Sequence, residues 1–366
     1  MTRVFSISGQ SGHARNGIVT TAHGKVKTPF FMPVATKGSV KLATMEELEA
    51  MGTRCFISNS YVFSLRPGLA TIKKAGGIHR FVGWEHSIFT DSGGFQVLRP
   101  EFFRSINDRE IVFRNPFDQK IDSLSPEKAM KIQSTLSSDV AMCLDDMPVY
   151  GSTPARLKES MQRTTAWAKR CLDAHANKKQ LLFGICQGGT NPKLRRQSAA
   201  QIGALPFDGF AIGGLAIGES MQQVERMVST ATPFLPSEKP RYLMGVGTPS
   251  DMLSAISLGI DCFDSAFPTQ IARHGSAFSH KGRLNISNAK FRFDLKPLDA
   301  ECTCLVCESH SRAYVHHLFR TGEENGQKYL SLHNLAFLQD MLESAREAIG
   351  GGRFDSFAEK FFADQR

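Results

Sequence analysis

The chain of 366 residues lacks any run of about 18 apolar residues, which a helix needs to cross a membrane. Its beginning, MTRVFSISGQSGHARNG, lacks a continuous apolar stretch ahead of a small-residue cleavage site, as a secretory signal would have. A low-complexity linker is also missing. We therefore expect a cytoplasmic protein without a membrane partner.

The cysteines do not form an obvious set of disulfide pairs. Three of the eight cluster near the C-terminus, and the other five are scattered among apolar neighbours: Cys55, Cys143, Cys171, Cys186 and Cys262. Because an odd remainder cannot pair completely and the cytosol is reducing, we expect these five to be small buried hydrophobic side chains.

Acidic residues are fewer than basic ones, 35 against 44, which gives a net charge of +9. This excess fits a polyanionic partner, but it also occurs in many basic enzymes. Within residues 265–320, four acids stand against eight basic residues: Arg273, Lys281, Arg283, Lys290, Arg292, Lys296, Arg312 and Arg320. This distribution favours a nucleic-acid surface in that segment.

The composition, 41% hydrophobic and 22% charged, is typical of a globular protein with a large core. Short apolar runs recur, each followed by a polar or glycine-rich turn, and about eight of them are candidate buried strands. The runs begin at Thr28, Cys55, Ser87, Asp139, Leu181, Gly209, Arg241 and Asp261.

Helix start signals lie between these runs. Thr44 and Glu47 form a capping box. Four cap residues stand directly before a proline, namely Ser125, Thr153, Asn191 and Thr248. Glycines stand where helices should end, at Gly52, Gly76, Gly203 and Gly259. The alternation predicts parallel strands with right-handed crossovers.

About eight strand and helix units favour a closed α/β TIM barrel, (β/α)8, with an open doubly wound sheet as the alternative. The segment from about residue 277 to 332 interrupts the pattern, and we interpret it as an insertion before a last helix at Asn334 to Ile349. We expect a single catalytic domain over residues 1–366, with a subdomain at about 277–349.

Polar residues follow most of the runs, at the strand ends where such a barrel forms its active site. They are Asn59, Asp91, Asp145, Asp146, Gln187, Gly213, Gly214 and Asp264. Any one of them could be an ordinary turn residue, but their coincidence favours a site. Cleavage of a glycosidic bond needs one carboxyl group to protonate the leaving group and, in retaining chemistry, another to attack the anomeric carbon. Asp91 and Asp264 suit these roles.

Four potential zinc ligands lie in the C-terminal part: Cys302, Cys304, Cys307 and His333. Three thiolates and an imidazole complete a tetrahedral site, whereas the alternative is a group of buried thiols without metal. His316 and His317 are rival fourth ligands, but the longer excursion to His333, at the head of the predicted helix, closes the loop better. Since no position is left for water, we predict one structural Zn2+ per chain.

Six motifs occur in order along the chain: TDSGGFQ at 90–96, CQGG at 186–189, GGLAIGE at 213–219, YLMGVG at 242–247, FDSAFPT at 263–269 and the cysteine cluster with its distant histidine. Together they resemble the queuine tRNA-ribosyltransferase (tRNA-guanine transglycosylase) family. The resemblance extends from about Gly17 to the C-terminus. It implies an enzyme of queuosine biosynthesis that exchanges the wobble guanine of tRNAs with a GUN anticodon for a 7-deazaguanine.

The resemblance implies that Asp264 is the nucleophile and Asp91 the general acid and base. Asp264 would attack the ribose anomeric carbon while Asp91 protonates the departing guanine, which gives a covalent tRNA–enzyme ester. The incoming base would lose its N9 proton to Asp91 and displace Asp264 with net retention. Water must be excluded, because it would leave an abasic site.

The residues implied in base binding are Asp91, Ser92, Gly93, Gly94, Phe95, Asp145, Gln187, Gly214, Leu215 and Met244. Asp145 would bind the N1 and exocyclic amine edge of guanine, while Gln187 and the Gly214 N–H would bind O6. Phe95 and Met244 would sandwich the flipped base, although either residue taken alone would be interpreted as part of the core.

The implied partner is tRNA, and the residues implied in binding it are Gly245, Thr269, Gln270 and Arg273. The zinc-binding insertion would add basic surface, and bacterial relatives suggest a homodimer. Three residues depart from the common bacterial pattern: Gln270 replaces an Arg, Val62 a His and Met147 a Cys. The first departure changes one tRNA contact that the resemblance implies, and the third changes a residue beside the recognition residue Asp145.

The identity of the incoming base stays open. Ile217 resembles the bulky aliphatic residue of bacterial enzymes and favours 7-aminomethyl-7-deazaguanine, whose substituent the Leu215 carbonyl would face. The LDDM run at 144–147 and the FPT at 267–269 are closer to eukaryotic enzymes, which take queuine. We expect the aminomethyl base, with direct queuine insertion as the rival.

Two other functions fit parts of the sequence. A non-catalytic tRNA-binding subunit would keep the fold and the zinc but lose the active carboxylates, and both are present here. An ordinary glycoside hydrolase would explain the paired acids but neither the cysteine cluster nor the basic insertion.

Overall fold

The computed structural model describes residues 4–365, with only the backbone of Phe95. Its strands, in chain order, are β1 Phe5–Ser11, β2 Ala14–Thr21, β3 Gly24–Thr28, β4 Phe30–Pro33, β5 Cys55–Asn59, β6 Ser87–Asp91, β7 Phe103–Ile106, β8 Ile111–Arg114, β9 Ile121–Leu124, β10 Val140–Met142, β11 Leu181–Cys186, β12 Gly209–Ile212, β13 Arg241–Leu243, β14 Cys262–Ser265, β15 Ser276–Ala277 and β16 Leu284–Asn285.

Eight parallel strands form a closed barrel, as predicted. They are hydrogen-bonded in the order β4-β14-β13-β12-β11-β10-β6-β5. A parallel bridge between Val34 and Ile57 joins the two ends of this order, and the Ala35 N–H donates to the Ile57 carbonyl at 2.8 Å. All eight apolar runs correspond to barrel strands, so the (β/α)8 prediction is confirmed and the open sheet is excluded.

The α-helices are α1 Met45–Ala50, α2 Ser60–Phe63, α3 Leu69–Ala75, α4 Ile78–Val82, α5 Gly94–Val97, α6 Pro126–Leu136, α7 Pro154–Ala174, α8 Pro192–Gly203, α9 Met221–Ala231, α10 Pro249–Ser257, α11 Phe267–Arg273, α12 Leu305–Ser309, α13 Arg312–Thr321, α14 Glu324–Gly350 and α15 Phe354–Asp364. Every predicted cap accepts a backbone N–H, and the capping box of Thr44 is complete. None of the helices in the described residues is long and apolar enough to cross a membrane.

The prediction for the last helix was wrong. Helix α14 begins at Glu324 rather than Asn334, and α15 follows it. Asn334 does not cap a helix, because its side chain lies in the interior and accepts from the Phe278 N–H at 2.8 Å. It also donates to the carbonyls of Pro268 and Ser276. His333 is therefore inside a long helix instead of at its head.

Three antiparallel sheets were not predicted, β1-β2-β3, β7-β8-β9 and the two-stranded β15-β16. The first covers the N-terminal end of the barrel, where the His23 N–H donates to Asp139 Oδ1 and the hydroxyls of Thr21 and Ser87 are 2.8 Å apart. Because Asp139 and Ser87 stand at the beginnings of their strands, the opposite, C-terminal end is left for a site.

Aromatic side chains fill the barrel. The ring of Phe89 lies edge-on to those of Phe30, Phe183 and Tyr242, with centroids 5.4 to 6.2 Å apart. These arrangements are favourable aromatic contacts. The barrel is therefore a packed core rather than a pore, and a ligand must bind above it.

Candidate active site

A cavity of about 540 Å3 lies at the C-terminal ends of the barrel strands. The predicted residues that line it are Asn59, Asp91, Ser92, Gly94, Asp145, Gly213, Gly214, Leu215, Met244, Gly245, Asp264 and Gln270. Those that do not line it are Gly93, Gln187, Thr269 and Arg273. The side chain of Phe95 is outside the described part of the chain.

Asp264 ends strand β14 and is held through one of its two oxygens. Its Oδ1 accepts hydrogen bonds from the Tyr242 hydroxyl and from the Gly245 N–H, the latter at 2.9 Å. No hydrogen bond from the described residues reaches Oδ2. Burial raises the pKa of Asp264, whereas the two donors oppose this effect. The carboxylate is therefore oriented with one oxygen available for chemistry.

Asp91 ends strand β6 and lies in a different environment. Its Oδ2 accepts from Asn59 Nδ2 and its Oδ1 from the Gly93 N–H, both at 3.0 Å. Burial, together with the nearby charge of Asp264, raises its pKa to about 7 against these two hydrogen bonds. A carboxyl group with a pKa near neutrality can both give and take a proton at physiological pH.

These two carboxyl groups can divide acid and nucleophile roles between them. The phenol of Tyr242 donates to Asp264 and stays protonated, because burial raises its pKa well above the usual value. Asp91 has no such phenol donor, and an amide is its side-chain partner. Two carboxyl groups with separate partners in one cavity are what retaining glycosyl transfer requires.

Asp145 faces the cavity after strand β10, and Gln187 lies beneath it. Gln187 Nε2 donates to Asp145 Oδ2 at 2.6 Å, and Gln187 is completely buried. Burial raises the pKa of Asp145 to about 6, against this hydrogen bond. At neutral pH the Asp145 side chain is thus mainly an acceptor for N–H groups.

The two backbone positions next to the Gln187 side chain, Gly213 and Gly214, accept only glycine. Gly214 has φ of 65°, and a Cβ there would lie 2.2 Å from Gln187 Oε1. A Cβ on Gly213 would lie 2.9 Å from Gln187 Nε2. The absence of side chains lets this backbone approach the amide closely. The buried Gln187 Oε1 has no hydrogen-bond partner among the described residues, so an acceptor is free beside the cavity.

The cysteine cluster has the geometry of a metal site. His333 Nδ1 lies 3.8, 3.5 and 3.3 Å from the sulfurs of Cys302, Cys304 and Cys307. Tetrahedral zinc with usual bond lengths would place nitrogen and sulfur ligands about 3.5 Å apart. His333 Nε2 bonds to the Phe278 carbonyl at 2.8 Å, which leaves Nδ1 free for a metal. The buried donor set therefore fits a metal ion.

Comparison with known proteins identifies the family. The model of the family described as Queuine tRNA-ribosyltransferase matches residues 10–366. The chain belongs to this family. A protein named queuine tRNA-ribosyltransferase from Bacillus subtilis (strain 168) is 47% identical over 95% of this chain and 92% of the relative. Another of that name, from Zymomonas mobilis subsp. mobilis (strain ATCC 31821 / ZM4 / CP4), is 43% identical over 98% of this chain and 94% of the relative.

In this family member, two residues beside the carboxylates have roles that sequence reasoning missed. Tyr242 was counted only as part of a strand and a motif, yet its hydroxyl orients Asp264. Asp146, a candidate strand-end residue, is completely buried and bonds to Arg156 and Arg163 of α7. Asp146 is therefore structural, whereas its neighbour Asp145 faces the cavity.

Only some of the residues that the resemblance implies in tRNA binding lie at the cavity. Gln270 lines the cavity, whereas Arg273 donates to the Thr269 carbonyl at 3.0 Å, outside the cavity lining. Met147 and Ile217 both line the cavity. The Val62 N–H donates to Asn59 Oδ1 at 2.8 Å. His316 bonds to the Ile286 carbonyl at 2.7 Å and does not join the metal cluster.

Proposed function

We propose that this chain is a tRNA-guanine transglycosylase that replaces the wobble guanine of GUN-anticodon tRNAs with a 7-deazaguanine. Family membership supports a tRNA-modifying pentosyltransferase. The observation that carries the finer proposal is the placement of Asp91 and Asp264 in one cavity with different hydrogen-bond partners.

In the first step, Asp264 Oδ2 attacks the anomeric carbon of the ribose. The bond from this carbon to guanine N9 breaks, and its electron pair leaves with the base. Asp91 gives its proton to the departing guanine, for which a pKa of about 7 is suited. The product is an ester between Asp264 and the tRNA.

In the second step, the incoming base takes the place of guanine. It loses its N9 proton to Asp91, which the first step left ionised, and N9 displaces Asp264 from the anomeric carbon. Two displacements at one carbon give net retention. The oriented Oδ1 of Asp264, held by Tyr242 and Gly245, keeps the carboxylate in place through both steps.

The base is recognised by Asp145, Gln187 and the loop after β12. Asp145 accepts the N1 and amine hydrogens, while the Gly214 N–H and the second hydrogen of Gln187 Nε2 donate to O6. Met244 lies against one ring face as part of the cavity lining, with Phe95 assigned to the other face by resemblance. The support is the Asp145–Gln187 hydrogen bond and the close approach of Gly214 to Gln187.

The tRNA binds around the cavity mouth through Gly245, Thr269, Gln270 and Arg273. A second contact surface is the segment 290–296, where Phe293 and Leu295 are 81% and 82% exposed. Its exposed cations are Lys290, Arg292 and Lys296. Exposed aromatic and apolar side chains among cations suit stacking on bases and binding of phosphates.

The four clustered residues Cys302, Cys304, Cys307 and His333 hold one structural zinc ion. It supplies folding energy to the C-terminal segment rather than chemistry to the cavity. We further propose one catalytic domain over residues 1–366, with the zinc-binding subdomain at about 277–349. The core supports this, because one cluster of buried residues extends from Phe5 to Phe361.

We further propose, from the resemblance to bacterial members of the family, that the enzyme is a homodimer in the cytoplasm. We also propose that it takes the aminomethyl base, which the bulky Ile217 in the cavity lining supports. Direct queuine insertion is the second candidate, since Met147 replaces the usual Cys beside Asp145 and lines the cavity. A methionine can fill this space or turn aside for a larger substituent.

The deciding experiment is incubation with a GUN-anticodon tRNA and labelled guanine. Incorporation of label without strand loss supports the proposal, whereas tRNA binding without incorporation points to a non-catalytic subunit. Release of sugar from oligosaccharides would point to a glycoside hydrolase. Asp173→Asn, at an exposed acid of α7, is the control for loss of one negative charge and should exchange base normally.

A further inference from the structure

Arg195 is a buried arginine that no ion pair among the described residues neutralises. It is on helix α8 and is completely buried. Its Nη1 donates to the carbonyls of Cys186 and Gly213, both at 2.9 Å, and its Nη2 donates to the Gly189 carbonyl at 3.0 Å. Burial lowers the pKa of the guanidinium. Burial of a charge without an ion-pair partner costs free energy, so we expect the buried guanidinium to contribute something in return.

The three carbonyls belong to two different loops of the cavity. Cys186 is the last residue of β11 and Gly189 lies in the loop after it, on either side of Gln187, whereas Gly213 precedes Gly214 in the loop after β12. One guanidinium therefore ties the backbone of one loop to that of the other. Each loop carries one of the groups proposed to bind O6 of guanine.

Helix α8 holds the first of these loops at two further points. Ser198 Oγ accepts from the Gln187 N–H at 2.9 Å. Gly188 has φ of 129°, and a Cβ there would lie 2.6 Å from the backbone nitrogen of Arg195. The loop thus packs directly on the first turn of the helix, where a larger residue would not fit.

We propose that Arg195 is a positioning residue for base recognition, which fixes the Gln187 amide and the Gly214 N–H relative to each other before guanine enters. The proposal rests on the function proposed above. Preorganisation of donors matters because a misplacement of about 1 Å can cost a site about 100-fold in activity. Arg195 is not assigned any contact with the base or the tRNA.

Arginine is required because its planar fork reaches carbonyls in two loops at once. Lysine keeps the charge but concentrates its donors on one atom, so it cannot hold all three carbonyls in the same geometry. Arg195→Lys therefore removes the link between the loops while leaving a buried cation. Arg195→Met removes both the charge and the donors, and it leaves three carbonyls without this partner.

The test compares Arg195→Lys and Arg195→Met with Arg196→Lys, a matched change at the exposed neighbour. We measure kcat and the KM for labelled guanine and for tRNA, with zinc content and Tm as checks of folding. The KM for guanine should rise about tenfold or more in Arg195→Lys, because the base edge is misaligned. The KM for tRNA should stay within about threefold, because phosphate contacts dominate that affinity.

Each other outcome has a defined meaning. A KM for guanine within twofold of wild type in a folded Arg195 variant overturns the proposal. The proposal is also overturned if only kcat falls, in proportion to the loss of folded protein, or if neither variant folds. In both cases Arg195 would serve only the fold. If wild type itself exchanges no guanine, the proposed function fails, independently of Arg195.

Discussion

Removal of the hydrogen bond from Asn59 to Asp91 should move the alkaline limb of the pH–activity profile to higher pH. Burial raises the pKa of Asp91 to about 7. Asn59 Nδ2, 3.0 Å from Asp91 Oδ2, opposes burial because it stabilises the ionised carboxylate. Loss of this donor should therefore raise the pKa further and extend activity to higher pH.

The size of the shift follows from the strength of such a bond. A hydrogen bond to a charged group contributes about 1.5 to 3 kcal/mol, and one pKa unit corresponds to about 1.4 kcal/mol. Because part of the bond persists with the neutral acid, we expect a rise of about one unit. Asn59→Ser is the suitable variant, since serine can still cap α2 in place of Asn59 Oδ1 but is too short to reach Asp91.

The assay is kcat/KM for exchange of labelled guanine into tRNA between about pH 5 and 9.5, which reports groups of the free enzyme. Asp91 must be protonated to release guanine, so activity should fall about tenfold per pH unit above its pKa. Asn107→Ser, at an exposed asparagine that caps a turn, is the control. An alkaline limb that stays in place or moves to lower pH in Asn59→Ser would refute the role of Asp91 as the acid.

Three further changes test the site. Asp264→Asn should keep fold and metal but abolish the denaturant-resistant tRNA adduct, because an amide is a poor nucleophile; an adduct on a denaturing gel would contradict this. Cys304→Ser should lower Tm and weaken tRNA binding, and metal analysis should find about one zinc per wild-type chain; metal-free wild type with full activity would exclude a structural zinc. Asp91→Asn should flatten the dependence of the free energy of unfolding on pH. The pKa of Asp91 is raised in the folded protein, so wild-type stability should fall by up to about 4 kcal/mol as the pH rises from about 4 to about 7. Equal slopes of unfolding free energy against pH in wild type and variant would count against the raised pKa.

The barrel could be predicted because its signals are local. Buried strands are continuous apolar runs, and the caps before α6, α7, α8 and α10 combine a polar residue with proline. The antiparallel sheets have weaker signals, since β1 alternates irregularly and β7 has no fully buried residue. Their pairing depends on contacts distant in sequence, which a reading of local periodicity does not detect.

The candidate site was predicted in its residue types more than in its contacts. The consecutive acids Asp145 and Asp146 are equivalent in sequence, and only the packing of α7 shows that Asp146 bonds to arginines. Tyr242 bonds to Asp264 from the neighbouring strand, and Arg195 on α8 bonds to backbone carbonyls after β11 and β12. Such partners depend on tertiary placement, so a motif names the carboxylate but not what orients it.

Ile217 and Met147 both line the cavity, and we propose that they decide which base enters. We expect wild type to prefer 7-aminomethyl-7-deazaguanine over queuine, because the Ile217 side chain fills space that a cyclopentenediol substituent needs. Ile217→Gly should raise kcat/KM for queuine about 10- to 100-fold, the range that steric discrimination in a pocket supplies. Phe234→Leu, at an exposed side chain, is the control and should not change the preference. The measurement is kcat/KM for both bases on one tRNA. A wild-type preference for queuine of tenfold or more would overturn the expectation and would make Met147, not Ile217, the residue whose flexible side chain sets the room for the substituent.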